Sequence, residues 1–364
     1  MNTLVAALPI LVLIWMMVKS SPIASYIALP ITALLAALLQ LFYFQADLRL
    51  LLANSFAGVL SVMTPISIIA GAILLNRMLA ISGAETTIKH WLESISSNQV
   101  AQLMIIGWAF AFMLEGASGF GTPAAIAAPI LVGLGFSPFK VIIFTLILNS
   151  IPVSFGAVGT PTWFGFSALQ LDDGQVLAIS RWTALCHVIA ALVIPMIALC
   201  LVLPLKKVRQ NSVFIYLSVF SCVLPYWLFA HWSYEFPSLI GGAVGLLVTI
   251  YLASRGVGLD NSAVNAQSTK GKAEFTPKAL FLALFPLLLL IVVLVITRIH
   301  QLGIKALLND ETLWVSIHLG FAQFELSKAL ILSLHEIFGT SVGWSYKTLF
   351  VPALIPFVLV VLIC

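Results

Sequence analysis

The chain has 364 residues, of which 61% are hydrophobic and 8% are charged. An ordinary soluble domain has about 25% charged residues, and 17 basic and 13 acidic side chains are too few to cover a soluble surface of this size. The composition therefore excludes a soluble enzyme, a nucleic-acid-binding protein and a disordered chain. Because a membrane helix needs about 20 apolar residues, the sequence predicts an all-α polytopic membrane protein with about ten membrane segments.

Long apolar runs are the candidates for these segments, since each can cross the bilayer core as a helix. They occupy residues 2–18, 22–44, 51–76, 182–205, 212–230, 237–253, 279–297 and 348–364. The first run lacks a basic leader and a cleavage site, so we interpret it as a spanning helix rather than a signal peptide. The four cysteines lie in apolar runs without a metal-binding spacing. We therefore expect free thiols, no metal site and no cofactor.

The basic residues indicate the orientation, because Lys and Arg are enriched in cytoplasmic loops. With the N-terminus outside, eleven of the 17 lie on the cytoplasmic side. The other six lie outside: Arg49, Arg181, Arg298, Lys305, Lys328 and Lys347. This orientation requires residues 99–135 to enter and leave the membrane on the cytoplasmic side.

The chain divides into five predicted parts. Residues 1–98 contain N-terminal membrane helices and an interfacial helix at 84–97, and residues 99–181 contain a re-entrant hairpin and a broken helix. Residues 182–253 form membrane helices, and residues 254–278 form a cytoplasmic loop. Residues 279–364 contain membrane helices and an extracytoplasmic segment, and we expect this part to be incomplete at the C-terminus. Within the last part, we expect residues 298–347 to form an interfacial helix or a re-entrant segment.

Helix breakers cluster between residues 99 and 171, where nine of the 23 glycines fall within 107–165. The first cluster, Glu115-Gly-Ala-Ser-Gly-Phe-Gly-Thr-Pro123, separates apolar stretches of 15 and 12 residues. Neither stretch is long enough to span the membrane, so they predict a re-entrant hairpin. The second cluster, Asn149-Ser-Ile-Pro-Val-Ser-Phe-Gly-Ala-Val-Gly-Thr-Pro161, predicts a spanning helix that is unwound in the membrane.

Both clusters end in Gly-Thr-Pro, at 121–123 and at 159–161. Proline favours the first turn of a helix, so each pattern predicts a helix start directly after a break. The exposed N–H groups and partial positive charge of such a start suit an anion, and broken helices recur in secondary transporters. The alternative is that these glycines serve close packing between helices.

The two clusters and their flanks, residues 112–136 and 149–161, resemble the L-lactate permease family of bacterial transporters, and fainter similarity covers the rest of the chain, including 62–80 and 94–97. Ser118 stands where alanine is more usual. The resemblance implies uptake of L-lactate, and in some members D-lactate or glycolate, by proton symport across the cell inner membrane. The partners would be a small monocarboxylate, a proton and the lipid bilayer.

The resemblance also implies a longer protein with a second set of Gly-, Ser- and Asn-rich motifs. Because this chain lacks that set, we expect a C-terminally truncated member, and an inactive permease fragment is one alternative function. The sequence carries no signal for an oligomeric state.

Lactate has a carboxylate and an adjacent hydroxyl group, and the breaks offer partners for both. Candidate donors to the carboxylate are Gly119, Gly121, Thr122, Gly159 and Thr160, and candidate partners of the hydroxyl are Asn149, Ser150 and Ser154. Neither break contains Arg or Lys, so we expect recognition by helix ends rather than by an ion pair. This favours a singly charged substrate over a dicarboxylate.

Glu115 is the one acidic residue between 99 and 171. An apolar environment favours the protonated form of a carboxyl group, so we hypothesise that Glu115 carries the coupled proton. Alternatively it only braces the hairpin.

A competing function is an intramembrane serine protease, because Gly116-Ala-Ser118-Gly119 matches a short G-x-S-G pattern and His187 could act as the base. The match covers four residues, so we favour a transporter with no catalytic residues.

Overall fold

The computed structural model describes residues 2–119, 121–166, 169, 171–260, 276–298, 302–351 and 353–364. Its helices are α1 Asn2–Val18, α2 Ser25–Leu38, α3 Leu48–Ser61, α4 Met63–Ile81, α5 Ala84–Ile95, α6 Gln99–Gln102, α7 Ala111–Ala117, α8 Thr122–Gly133, α9 Pro138–Asn149, α10 Gly156–Phe166, α11 Asp173–Ala191, α12 Ile194–Val202, α13 Leu205–Gln210, α14 Ser212–Phe229, α15 Pro237–Ser254, α16 Pro277–Arg298, α17 Ile304–Leu308 and α18 Leu359–Ile363. Its strands are β1 Leu313–His318, β2 Gln323–Ser327, β3 Ile331–His335 and β4 Trp344–Lys347.

Within the described ranges, 6 helices are long and apolar enough to cross a membrane, or up to 8 if each bent pair is one span. The bent pairs are Pro138–Asn149 with Val153–Phe166, at 66°, and Asp173–Ala191 with Ile194–Val202, at 41°. The predicted all-α membrane class is confirmed, whereas the count of about ten segments is not. Most of the predicted loop at 254–278 lies outside the described residues.

One compact unit consists of Met1–Ile66 and Leu307–Leu349. In it, α1 packs on α2, and α3 packs on an antiparallel sheet of order β1-β2-β3-β4. The small side chains of Ala53 and Ala57 on α3 form a core with Ala322, Leu334 and Ile337. This core joins a helix to a sheet whose first strand is exposed along its length.

The sheet corrects the expectation for residues 298–347, where an interfacial helix or a re-entrant segment was predicted. Strands occupy most of 313–347 instead. Short apolar runs of this kind do not distinguish strand from helix by periodicity, and Gly320, with a φ of +80°, allows the chain to reverse between β1 and β2. The prediction was wrong because it followed hydrophobicity rather than these turns.

The other compact unit consists of Ser67–Ala306 and Phe350–Cys364. At its centre lies one continuous helix, Gln99–Ala117, which includes a π-helical stretch, Leu103–Phe110. This central helix is buried from Val100 to Ala117, and it packs against α8, α14 and α15. The unit is therefore built around the first arm of the predicted hairpin.

The first arm is longer than predicted. It has 19 helical residues and is long and apolar enough to cross a membrane, whereas the sequence suggested an arm of 15. The side-chain oxygen of Asn98 accepts bonds from the N–H groups of Val100 and Ala101, which starts the helix early. The helix also continues through Gly116. The second arm, α8, has 12 residues and is as short as predicted.

Two further elements bear on the predictions. The apolar run at 182–205 is bent rather than straight, because α12 begins with Pro195 in its first turn. The helix predicted at 84–97 is α5, and its apolar face buries Ile88 and Leu92 where α5 packs against α16.

Candidate functional site

The first break lies between α7 and α8. Gly119 and Gly121 have left-handed backbone, with φ of +58° and +81°, a conformation that glycine adopts at little cost. α8 begins at Thr122 with Pro123 in its first turn, as Gly-Thr-Pro predicts. The backbone N–H of Thr122 donates to the carbonyl oxygen of Gly119 at 3.0 Å. The Thr122 N–H is therefore bonded within the turn, and the Thr122 hydroxyl is the candidate hydrogen-bond donor to a ligand.

The second break lies between α9 and the helical end of α10. Ala157, Val158 and Gly159 have positive φ of 41°, 56° and 72°, and helical backbone resumes at Thr160. A β-branched residue such as Val158 rarely adopts this conformation, and strained backbone of this kind is concentrated at functional sites. The Thr160 hydroxyl donates to the Ala157 carbonyl oxygen at 2.6 Å, so it holds the break rather than pointing away from it.

The two breaks lie against each other. A Cβ atom placed on Gly119 would be 3.0 Å from the Cβ atom of Ala157, and one placed on Gly156 would be 3.0 Å from the carboxyl carbon of Glu115. The missing side chains of these two glycines therefore allow the second break to contact the end of α7. The sequence predicted both breaks, and the structure brings them together.

Glu115 lies at this junction with 1% of its surface exposed. The amide group of Asn149, the last residue of α9, interacts with its carboxyl group. Among the described residues, no partner satisfies Glu115 Oε2 or Asn149 Oδ1, although both atoms are buried. Two unpaired buried acceptors are costly, and a carboxyl proton or a ligand hydroxyl would supply the missing donor.

The segment before and at the start of α15 packs against both breaks. A Cβ atom on Gly116 would be 2.6 Å from the carbonyl carbon of Ser238, and one on Gly159 would be 2.9 Å from Cα of Glu235. The Ser238 hydroxyl donates to the Pro152 carbonyl oxygen at 2.6 Å. The sequence identified 237–253 only as a membrane helix and gave no role to these residues, because their contacts are distant in sequence.

A buried aromatic pair supports the second break from another side. The Tyr226 side chain is fully buried, and its hydroxyl oxygen lies 2.6 Å from His187 Nδ1 and donates to the Ile151 carbonyl oxygen at 3.5 Å. The ring of His187, on α11, is thereby bonded to α14. The pair connects α11 and α14 to the break.

Apart from Thr122 at the start of α8, the predicted site residues divide into two groups. Those at the junction of the breaks are Glu115, Gly119, Asn149, Gly159 and Thr160. Gly121 faces open space, because a Cβ atom placed on it would meet nothing within 4 Å. Ser150 is exposed, and its hydroxyl donates to the Ile147 carbonyl oxygen at 2.6 Å. The Ser154 carbonyl oxygen accepts a bond from Thr162, at 2.6 Å, within the break.

The packing of Gly159 leads to a testable expectation for stability. Gly159→Ala forces a Cβ atom against the 234–235 backbone and keeps a positive φ. We expect destabilisation by about 1–3 kcal/mol from overpacking, with about 1–2 kcal/mol more from the left-handed backbone. The measurement is thermal unfolding of the detergent-solubilised protein, followed by size-exclusion chromatography. Gly165→Ala is the matched control, because a Cβ atom there meets nothing within 4 Å. Equal unfolding midpoints would contradict this packing.

The side chains named for a protease are engaged elsewhere. The Ser118 hydroxyl donates to the Leu114 carbonyl oxygen of its own helix at 2.9 Å. The His187 ring pairs with Tyr226 at 2.6 Å. Among the described residues, no hydrogen bond joins Ser118 to His187, so the nucleophile and base that this alternative requires are not paired.

Apolar helices, two bent helix pairs and a buried junction of helix breaks define a multi-pass membrane protein with discontinuous helices. The family model for L-lactate permease matches residues 2–364. The chain therefore belongs to the L-lactate permease family, and the family predicted from residues 112–136 and 149–161 is confirmed.

Relatives support the same assignment. The chain is 53% identical to a putative L-lactate permease of Haemophilus influenzae over 371 residues, which cover 100% of this chain and 68% of that protein. It is 35% identical to the L-lactate permease of Escherichia coli (strain K12) over 177 residues, or 48% of this chain and 32% of that protein. It is also 35% identical to the E. coli glycolate permease GlcA over 181 residues, or 50% of this chain and 32% of that protein. No solved structure matches the chain.

Proposed function

We propose that this protein takes up L-lactate, and also D-lactate or glycolate, by proton symport across the bacterial inner membrane. The observation that carries the proposal is the junction of two helix breaks at a buried carboxyl group, in a chain of the L-lactate permease family. Backbone breaks in the membrane interior survive where protein covers them or where they line a substrate cavity. Two of the relatives are named as a putative L-lactate permease and a glycolate permease, and these names support lactate and glycolate as the substrates to test.

The substrate carboxylate binds at the two Gly-Thr-Pro helix starts in this proposal. Gly119, Gly121, Thr122, Gly159 and Thr160 provide the local backbone and hydroxyl groups. The Thr122 N–H and the Thr160 hydroxyl are bonded within the breaks, so they shape the site while neighbouring groups contact the ligand. The positive ends of the two helices favour a single negative charge.

The substrate hydroxyl binds beside Asn149. Its Oδ1 atom is buried and lacks a donor among the described residues, and the hydroxyl group of a 2-hydroxy acid supplies one. Ser154, half-buried within the same break, is the second candidate. Ser150 is the weakest, because it is exposed and its hydroxyl bonds to its own helix.

Glu115 carries the coupled proton in this proposal. Its Oε2 atom has no partner among the described residues, and protonation turns that acceptor into a donor. Because the carboxyl group lies where the two breaks meet, its charge acts directly on the backbone that holds the substrate. Loading of the proton and of the anion are therefore linked by their proximity.

Uptake into proteoliposomes tests the proposal. We expect purified protein to accumulate labelled L-lactate under an inward proton gradient, with accumulation abolished by a protonophore and unchanged when sodium is replaced by potassium. Unlabelled D-lactate and glycolate should compete, whereas a dicarboxylate should not. Accumulation that follows sodium, or no uptake above protein-free liposomes, would contradict the proposal.

A further inference from the structure

A partly buried ion pair involves a residue whose backbone packs on the second break. Lys305 Nζ on α17 is 3.3 Å from Glu235 Oε1, and the exposed fractions of the two side chains are 32% and 4%. The carboxylate is therefore enclosed, whereas the ammonium group belongs to a partly accessible side chain. Both residues lie within the unit that contains the site.

The position of this pair connects it to the candidate site. The backbone of Glu235 packs so closely on Gly159 that a Cβ atom there would be 2.9 Å from Glu235 Cα and 3.0 Å from the Tyr234 carbonyl carbon. Gly159 directly precedes the second Gly-Thr-Pro helix start. Lys305 is thus paired with a residue whose backbone contacts the second break, and the break itself contains no Arg or Lys.

Enclosed ion pairs contribute little net stability, because the cost of removing both charges from water offsets their attraction. The chemical nature of the pair suggests a role in binding instead. Lys305 binds the carboxylate of Glu235, and a monocarboxylate substrate presents the same group. On the orientation predicted from the basic residues, Lys305 also lies on the outer side, where uptake begins.

We propose that Lys305 is a binding residue for the substrate carboxylate at the outer side of the second break, and that Glu235 is the internal carboxylate which the substrate replaces. The inference rests on the proposed uptake of a monocarboxylate and identifies a cation in that pathway. Recognition then begins with an ion pair and continues at the helix ends. Glu235 keeps the site neutral when substrate is absent.

Opposite effects of the two partners on KM test this inference. Lys305→Gln removes the cation, so we expect the KM for L-lactate to rise roughly tenfold or more, the loss typical of a charge-assisted hydrogen bond. Glu235→Gln removes the competitor, so the KM should fall. Lys305→Arg retains the charge and should stay near wild type. The control Lys140→Gln, which removes an exposed lysine of α9, should not change the KM.

A pair that only holds the fold predicts a different pattern. Both single variants would then lower the amount of monodisperse protein and change the KM in the same direction, and the double variant Glu235→Gln/Lys305→Gln would restore both. That pattern overturns the inference. Competition adds a second readout: inhibition by propionate should weaken in Lys305→Gln, whereas inhibition by the neutral lactamide should not change.

Binding measured without a gradient separates this inference from the proposed function. We expect detergent-solubilised wild-type protein to bind labelled L-lactate in a scintillation proximity assay. If it binds and both variants weaken binding, the role of Lys305 is wrong while lactate transport stands. If the wild type neither binds nor takes up L-lactate, the proposed function is wrong and this inference with it.

Discussion

Glu115→Gln is expected to reduce proton-driven accumulation of L-lactate to the level of protein-free liposomes. The substitution keeps the shape of the side chain but removes the group that gains and loses a proton. Because Glu115 is 1% exposed and meets Asn149 at the junction of the breaks, an amide fits the same space. The variant should therefore fold and still bind substrate.

Exchange of lactate separates coupling from binding in this variant. With labelled lactate outside, unlabelled lactate inside and no proton gradient, a protein that has lost only coupling still exchanges substrate. Glu115→Gln should therefore retain exchange while it loses accumulation. Glu115→Asp keeps a proton-binding group and should retain part of both activities.

A glutamate of the other compact unit provides the control. Glu311 has 75% of its side chain exposed and pairs with Lys347 at 3.4 Å. Glu311→Gln should leave accumulation and exchange at wild-type levels. Full gradient-driven accumulation by Glu115→Gln would show that Glu115 only braces the hairpin, which is the alternative role for this residue.

The helix breaks were predictable from the sequence because their causes are local. Gly121 and Gly159 adopt positive φ, and each is followed by a threonine and a proline at a helix start. These conformational preferences act within a few residues. The bend of 66° at the second break follows from the same cluster, so the pattern located the discontinuous helix without tertiary information.

The surroundings of the breaks were not predictable, since they depend on contacts between distant residues. Glu235 and Lys305 are 70 positions apart, and His187 and Tyr226 are 39 apart. No spacing rule connects such pairs in a single sequence. The sequence therefore gives no indication that Glu235 pairs with Lys305. The expectation of recognition by helix ends was drawn from the breaks alone, which contain no Arg or Lys, and did not consider the segments that pack against them.

The length of the first arm of the hairpin also differs between the sequence prediction and the structure. The sequence prediction ended the first arm before the cluster that begins at Glu115, because glycines such as Gly116 disfavour helix interiors. In the structure α7 continues to Ala117, and the missing side chain of Gly116 is filled by the backbone of α15, whose Leu239 Cα would be 2.5 Å from a Cβ atom. Tertiary packing thus explains a glycine that local propensity would place at the helix end.

Gly156→Ala is expected to impair transport while leaving the fold intact. Gly156 has a φ of −65°, which alanine adopts without strain, so the backbone should not change. A Cβ atom at this position would overlap Glu115 Oε1 and lie 3.0 Å from the carboxyl carbon. The overlapping atom is the end of a side chain that can rotate, so the carboxyl group moves instead of the helix.

Displacing a reacting group by about 1 Å can lower a rate by about 100-fold, so we expect proton-driven uptake by Gly156→Ala to fall by roughly one to two orders of magnitude. The thermal unfolding midpoint should remain near wild type. Gly165→Ala in the same helix is the control, since its Cβ atom meets nothing within 4 Å, and its uptake should be unchanged.

A second-site substitution distinguishes displacement of the carboxyl group from a general packing defect. Glu115→Asp shortens the acid by one methylene and makes room for the new methyl group. The double variant Gly156→Ala/Glu115→Asp should therefore transport better than Gly156→Ala alone. If Gly156→Ala and Gly165→Ala take up L-lactate equally well, the position of the Glu115 carboxyl group does not control transport. If the double variant is less active than either single variant, the loss comes from packing and not from displacement of the carboxyl group.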